Sequence, residues 1–186
     1  LICNPVAELL DLWFVGGMIL QERGALNEGH ASYRLGAEES VLAMIGRPWL
    51  NACLWHRTLP AALRGWLLQL TATQMHEASL VVTDGDGLDG LFMGLPLSSE
   101  LDTWRRDVTH LTRTFLSLTK AERISVSIAT ITNNKCRKFH SDYKSLRLVC
   151  TYAGPGTQWV DDRDVDRRAM GHEETCFDRA NARIVR

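Results

Sequence analysis

The sequence contains no C-x-x-C pair, and its five cysteines, Cys3, Cys53, Cys136, Cys150 and Cys176, are odd in number and widely scattered. That pattern excludes a disulfide framework and leaves thiols in a reducing cytoplasm as the expectation. No stretch approaches the roughly 20 apolar residues that a membrane-spanning helix needs. The longest early apolar stretch, Leu12 to Leu20, follows Glu8 and Asp11 rather than the basic residues that precede a signal-peptide core. Positive charge is not in excess either: the net charge is −1 and the pI about 6.7. Without a basic field, neither nucleic acid nor an anionic membrane is an expected partner. The late arginines Arg163, Arg167, Arg168, Arg179, Arg183 and Arg186 are interleaved with aspartates and glutamates, and read as a solvated mixed-charge surface. A P-loop, a nucleophile elbow and a G-x-G-x-x-G fingerprint are all missing.

What is present is the composition of one globular domain, 45% hydrophobic and 23% charged over 186 residues. Residues 1–37 stand apart as a poorly defined extension. Val6 to Leu20 predicts a short amphipathic or buried helix broken at Gly16-Gly17. Gln21 to Gly36, carrying Gly24, Gly29 and Gly36, predicts a loop. From Ala37 the pattern tightens. Glu38 to Ile45 predicts a short helix with acids in its first turn, stopped by Gly46-Arg47-Pro48. Leu50 to Trp55 predicts a strand, and Pro60 opens a helix on which Leu63, Trp66, Leu67 and Leu70 recur at helical spacing. Ser79 to Val82 predicts another short strand.

Asp84-Gly85-Asp86-Gly87-Leu88-Asp89-Gly90 partly echoes a calcium loop. The glutamate required at the twelfth position would be Leu95, so the motif fails and a surface loop is expected. Ser98 or Ser99 caps the longest helix, whose apolar stripe is Leu101, Trp104, Val108, Leu111, Phe115 and Leu118. Its exposed face is expected to carry Arg105, Arg106, Asp107 and Arg113. The period then changes to two. Ile124, Val126 and Ile128 alternate with small residues, and Leu146 to Tyr152 puts Leu148 and Cys150 on one face and Arg147, Val149 and Thr151 on the other. Phe139 to Asp142 predicts a short strand or strand end. Gly154-Pro155-Gly156 predicts a tight turn from which Thr157 to Val160 returns. Consecutive strands with short connections favour an antiparallel sheet.

The densest chemistry lies between Lys135 and Trp159. On a strand His140 and Asp142 share a face, so an imidazole and a carboxylate converge, two thirds of the facial triad that holds Fe(II) with open positions. Phe139, Tyr143, Tyr152 and Trp159 are candidates to wall a pocket. Arg147, with Arg137 and Lys144, is a candidate to bind a carboxylate co-substrate such as 2-oxoglutarate. The only later histidine is His172, in a polar stretch with no strand signal. A rival constellation uses sulfur: Cys136 with His140 and His172 with Cys176 are each four apart and chemically suit tetrahedral zinc, though without the tight knuckles such sites use. Cys136, among Lys135, Arg137 and Lys138, is a candidate reactive thiol.

The run Cys136-Arg137-Lys138-Phe139-His140-Ser141-Asp142-Tyr143, then Leu146 to Val160 and Val165-Asp166-Arg167, resembles a bacterial family described as domain of unknown function 1826. The Val41-Leu42-Ala43 helix, the Trp55-x-Arg57 element and the helix after Pro60 resemble it too, so that the similarity covers residue 38 onward. The resemblance implies a part in zinc or related metal homeostasis beside CobW-type metal-chaperone GTPases. It also implies further strands beyond Arg186 with a late His-Arg-Ser-Pro segment, whose histidine would be the third ligand for His140 and Asp142. The start at Leu1 and the finish at Arg186 fit a piece of a longer protein.

The sequence thus predicts an α+β domain over 38–186, N-terminal helices on an antiparallel sheet, with an incomplete, cupin-like double-stranded β-helix as its finer form. Two functions are expected. One is an Fe(II)/2-oxoglutarate oxygenase-like protein with His140 and Asp142 on the metal and Arg147 on the co-substrate. The other is a non-catalytic metal-handling or partner-binding domain.

Overall fold

In the computed structural model, which describes residues 2–3, 9–16, 32–132, 146–154 and 156–159, the elements follow one another in this order: β1 (Ile2–Cys3), β2 (Leu9–Gly16), β3 (Tyr33–Gly36), a 3₁₀ segment (Glu39–Gly46), β4 (Ala52–Trp55), α1 (Ala61–Thr73), β5 (Glu77–Val82), a second 3₁₀ segment (Leu88–Phe92), α2 (Ser99–Thr119), β6 (Ile124–Ile131), β7 (Leu146–Ala153) and β8 (Gln158–Trp159). The fold is α+β, as the sequence predicts. No helix among the described residues is long and apolar enough to cross a membrane.

The two long helices start and stop for local reasons. The Ser98 hydroxyl accepts the Leu101 N–H at 3.1 Å, and Glu100 and Asp102 stand in the first turn of α2, where the helix dipole favours negative charge. At the other end Lys120 takes the left-handed conformation, φ 55°, and its N–H closes on Leu116 O at 2.9 Å. That cap geometry is one glycine adopts without strain, so a lysine there carries a backbone cost. Along α2, Leu101, Trp104, Val108, Leu111 and Phe115 are buried in one stripe. From α1, Leu63, Leu67 and Leu70 meet them.

These helices cover one face of a four-stranded sheet ordered β5-β6-β2-β7, every neighbouring pair antiparallel. Leu80, Val82, Ile124, Val126, Ile128, Leu146, Leu148 and Cys150 supply that face, in the period-two alternation read from β6 and β7. A register shift interrupts β7: Asp11 pairs with Thr151, but Leu10 pairs with Ala153. The extra residue, Tyr152, lets both it and Ala153 enter the core, at 3% and 5% exposure. A bulge re-aims side chains in this way.

Three sequence expectations are corrected. Leu9–Gly16, inside the stretch predicted as a helix, is a strand, and it lies between β6 and β7. A short apolar run does not distinguish the two by periodicity, whereas Trp13, Phe14 and Val15 favour a strand and a central strand need not alternate. Tyr33–Gly36, predicted as loop, is a strand that pairs in parallel with β4, Tyr33 against Ala52 and Gly36 against Trp55. The chain after Gly154-Pro155-Gly156 does not return along β7: β8 pairs with β1, and Trp159 packs edge-on against Tyr33 at 4.5 Å between ring centroids.

Candidate functional site

Where Arg57, Asp107, Cys150 and Tyr152 meet, four polar side chains from three parts of the chain form one lattice beside the core. Arg57 follows β4, Asp107 is on α2, and Cys150 and Tyr152 are on β7. The Arg57 guanidinium holds the Asp107 carboxylate with both nitrogens, Nη1 to Oδ1 at 2.7 Å and Nη2 to Oδ2 at 2.5 Å. Nη2 also donates to Cys150 Sγ at 3.3 Å. The Tyr152 hydroxyl donates to Asp107 Oδ2. Two rings flank the cation, with Cζ 5.2 Å from the Trp55 centroid and 5.6 Å from that of Tyr152. Trp55 is itself fixed by its indole N–H, which donates to Ala37 O at 3.0 Å.

Local structure explains the convergence. Trp55 and Arg57 are two apart on extended chain and project to one side. Asp107 is three after Trp104 and four before Leu111, which sets it on the edge of the buried stripe of α2. Cys150 and Tyr152 are two apart on β7 and so share its core-facing side. Behind the lattice Trp104 stacks edge-on with Tyr152 at 5.6 Å, Phe92 at 5.3 Å and Trp66 at 6.1 Å.

Electrostatics follow burial. The Arg57 and Asp107 side chains are 17% and 22% exposed. Burial works against the Arg57 charge, but its hydrogen bonds to Asp107 and the fields of Cys150, Tyr152 and Asp107 more than offset this, so its proton is held more tightly than usual. Burial pushes the Tyr152 phenol well above its ordinary value; Cys150 and Asp107 add to the rise and Arg57 opposes it. The phenol therefore stays a hydrogen-bond donor. One turn along α2 lies a second clasp. Glu39 accepts from His110 Nε2 at 2.8 Å and from the Thr114 hydroxyl at 2.7 Å. Burial raises the Glu39 carboxyl, but those two hydrogen bonds and the Arg57 charge outweigh it and leave it below the usual range.

His140 and Asp142 lie outside the described residues, as do Phe139, Tyr143, Cys136, His172 and Cys176. Arg147, the candidate co-substrate anchor, is half-buried near the start of β7 and alternates with Leu146, Leu148 and Cys150, which pack on the core. It therefore belongs to the opposite face from the lattice. Of the aromatic candidates, Tyr152 is in the lattice and Trp159 is against Tyr33. Asp107 is corrected from solvated helix face to ion-pair partner. In the aspartate loop, Asp86 takes Arg113 Nη2 at 2.6 Å, and Asp89 stands 3.7 Å from Arg105. Of the described histidines, His76 is structural: its Nε2–H donates to Leu91 O at 2.6 Å.

Among the described residues no three His, Cys, Asp or Glu side chains come together to hold a metal ion. The lattice, with a guanidinium at its centre, does not fit one.

A family model described as "Protein of unknown function (DUF1826)" matches residues 36–185, most of the chain. No curated protein and no solved structure matches it.

Proposed function

The chain belongs to the DUF1826 family, and from that premise we propose that it is a metal-handling domain in which His140 and Asp142 supply ligands just ahead of β7. The observation that carries this reading is the lattice on β7. A half-buried ion pair is poor evidence for stability, because desolvation offsets much of its attraction. Its use is positional. The guanidinium, the carboxylate and the phenol tie β7 to α2 and to the end of β4, and so fix the strand that begins four residues after Asp142. Sites on rigid, hydrogen-bonded elements hold ligand geometry better than sites on unsupported loops.

A divalent ion with one imidazole and one carboxylate from this chain keeps exchangeable positions, the property a carrier needs. The CobW-type GTPase pathway implied by the family resemblance is the partner class that suits this role. The second reading is an Fe(II)/2-oxoglutarate oxygenase on a cupin-like double-stranded β-helix, with Arg147 holding the co-substrate carboxylate. The described residues carry one four-stranded sheet and two two-stranded pairs. An anaerobic titration separates the two readings. Metal handling predicts zinc uptake and no visible charge-transfer band with Fe(II) and 2-oxoglutarate. A band that is lost in Arg147→Ala would favour the oxygenase and overturn the first reading.

A further inference from the structure

The lattice contains a nucleophile that metal handling does not use. We infer that Arg57 and Cys150 form a thiol-modification site, in which the guanidinium steadies the Cys150 thiolate for reaction with a small uncharged hydroperoxide. Three observations carry this. First, Arg57 Nη2 donates to Cys150 Sγ at 3.3 Å, and such a bond strengthens when the acceptor is an anion. Second, the guanidinium is held against the sulfur by Asp107 through both nitrogens and by the Trp55 and Tyr152 rings. The donor is thus in place before the thiolate forms. Third, Cys150 is only partly buried, and reactive thiols sit in partly exposed surroundings beside a cation. Cys53 is the internal contrast. It too is partly buried, but burial alone governs it and pushes its thiol up.

The reaction balances without a further co-reactant. The Cys150 thiolate attacks one peroxide oxygen, the S–O bond forms as the O–O bond breaks, and hydroxide leaves to be protonated by water. Sulfur is oxidised to a sulfenic acid and the peroxide is reduced.

Asp107 gives the inference a sharp signature, because it acts on the thiolate with the opposite sign to Arg57. The test measures the rate of Cys150 modification, peptide by peptide, in the whole chain with iodoacetamide and with hydrogen peroxide plus a sulfenic-acid trap. Arg57→Leu should slow Cys150 at pH 7.5 by about tenfold, the scale of one charge-assisted hydrogen bond. Asp107→Asn should speed it. A lattice that merely shields the thiol predicts that both substitutions speed it, because both loosen the packing. That pattern, or any other without opposite signs, overturns the inference. Should either variant fail to fold, the pH–rate profile of the unsubstituted chain decides the matter. Cys150 should reach its half-maximal rate at lower pH than Cys53, and an equal or higher midpoint overturns the proposal.

Discussion

Replacing Asp107 with alanine isolates what the lattice contributes to the fold. The substitution leaves the Arg57 guanidinium, 17% exposed, without its carboxylate, and leaves the Tyr152 hydroxyl, in a residue 3% exposed, without its acceptor. Breaking one side of a buried pair costs about 3–5 kcal/mol, because the remaining charge is uncompensated. The residual exposure of Arg57 lets water reach part of it, which places the expected loss near the lower limit, about 3 kcal/mol. For a chain of this size that lowers Tm by roughly 6–12 °C. The urea midpoint should fall by about 1.5 M, taking a slope of about 2 kcal/mol per M. The double variant Arg57→Met/Asp107→Leu removes both charges and should recover at least half of the loss, because replacing a pair by apolar groups avoids the desolvation penalty. Two denaturation series measure this. An Asp107→Ala loss below about 1 kcal/mol, or a double variant no more stable than the single one, would refute the account of the lattice as a coupled, desolvated unit.

Three further outcomes are expected. Tyr152, whose phenol is raised by burial, contributes stability that is complete below the ordinary tyrosine value of about 10 and is lost as pH rises above it. The ultraviolet phenolate signal of Tyr152, identified by difference from Tyr152→Phe, should therefore appear only together with unfolding. Glu39, whose carboxyl is lowered, contributes stability that is present above the ordinary glutamate value and disappears as pH falls through the acid range. Its side chain is 36% exposed, so Glu39→Gln should cost under about 1 kcal/mol at pH 7 and nothing at pH 3 by urea denaturation. At the end of α2, Lys120→Gly should raise stability by about 0.5–1 kcal/mol in the same assay, since φ 55° suits glycine.

The elements that the sequence announces are those whose signals are local. Ser98 with Glu100 and the stripe from Leu101 to Phe115 define α2 within a residue or two, and the alternation Ile124, Val126, Ile128 defines β6. Leu9–Gly16 is not legible as a strand, because its apolar run is short and its partners, Ile124–Ile131 and Leu146–Ala153, lie more than a hundred residues away in the chain. The lattice was half visible. In the sequence Trp55-x-Arg57 is marked only by the family resemblance, and Asp107 reads as a surface charge among Arg105 and Arg106. Its spacing from Trp104 and Leu111 was the available signal: a carboxylate within an apolar stripe calls for a cation, and Arg57 answers it from fifty residues away. Cys150 and Tyr152, two apart, share a face by simple alternation, whereas the burial of Ala153 beside Tyr152 comes from the bulge, which alternation alone does not predict.

The central claim is that His140 and Asp142 bind metal ahead of a strand held by the lattice. Calorimetric titration of zinc into the metal-stripped chain, alongside His140→Ala and Asp142→Ala, tests it most directly. The account predicts one ion per chain, with affinity reduced at least tenfold in each variant while the thermal transition of the apo-protein is unchanged. Zinc uptake that is absent from the unsubstituted chain, or equal in all three proteins, would contradict it.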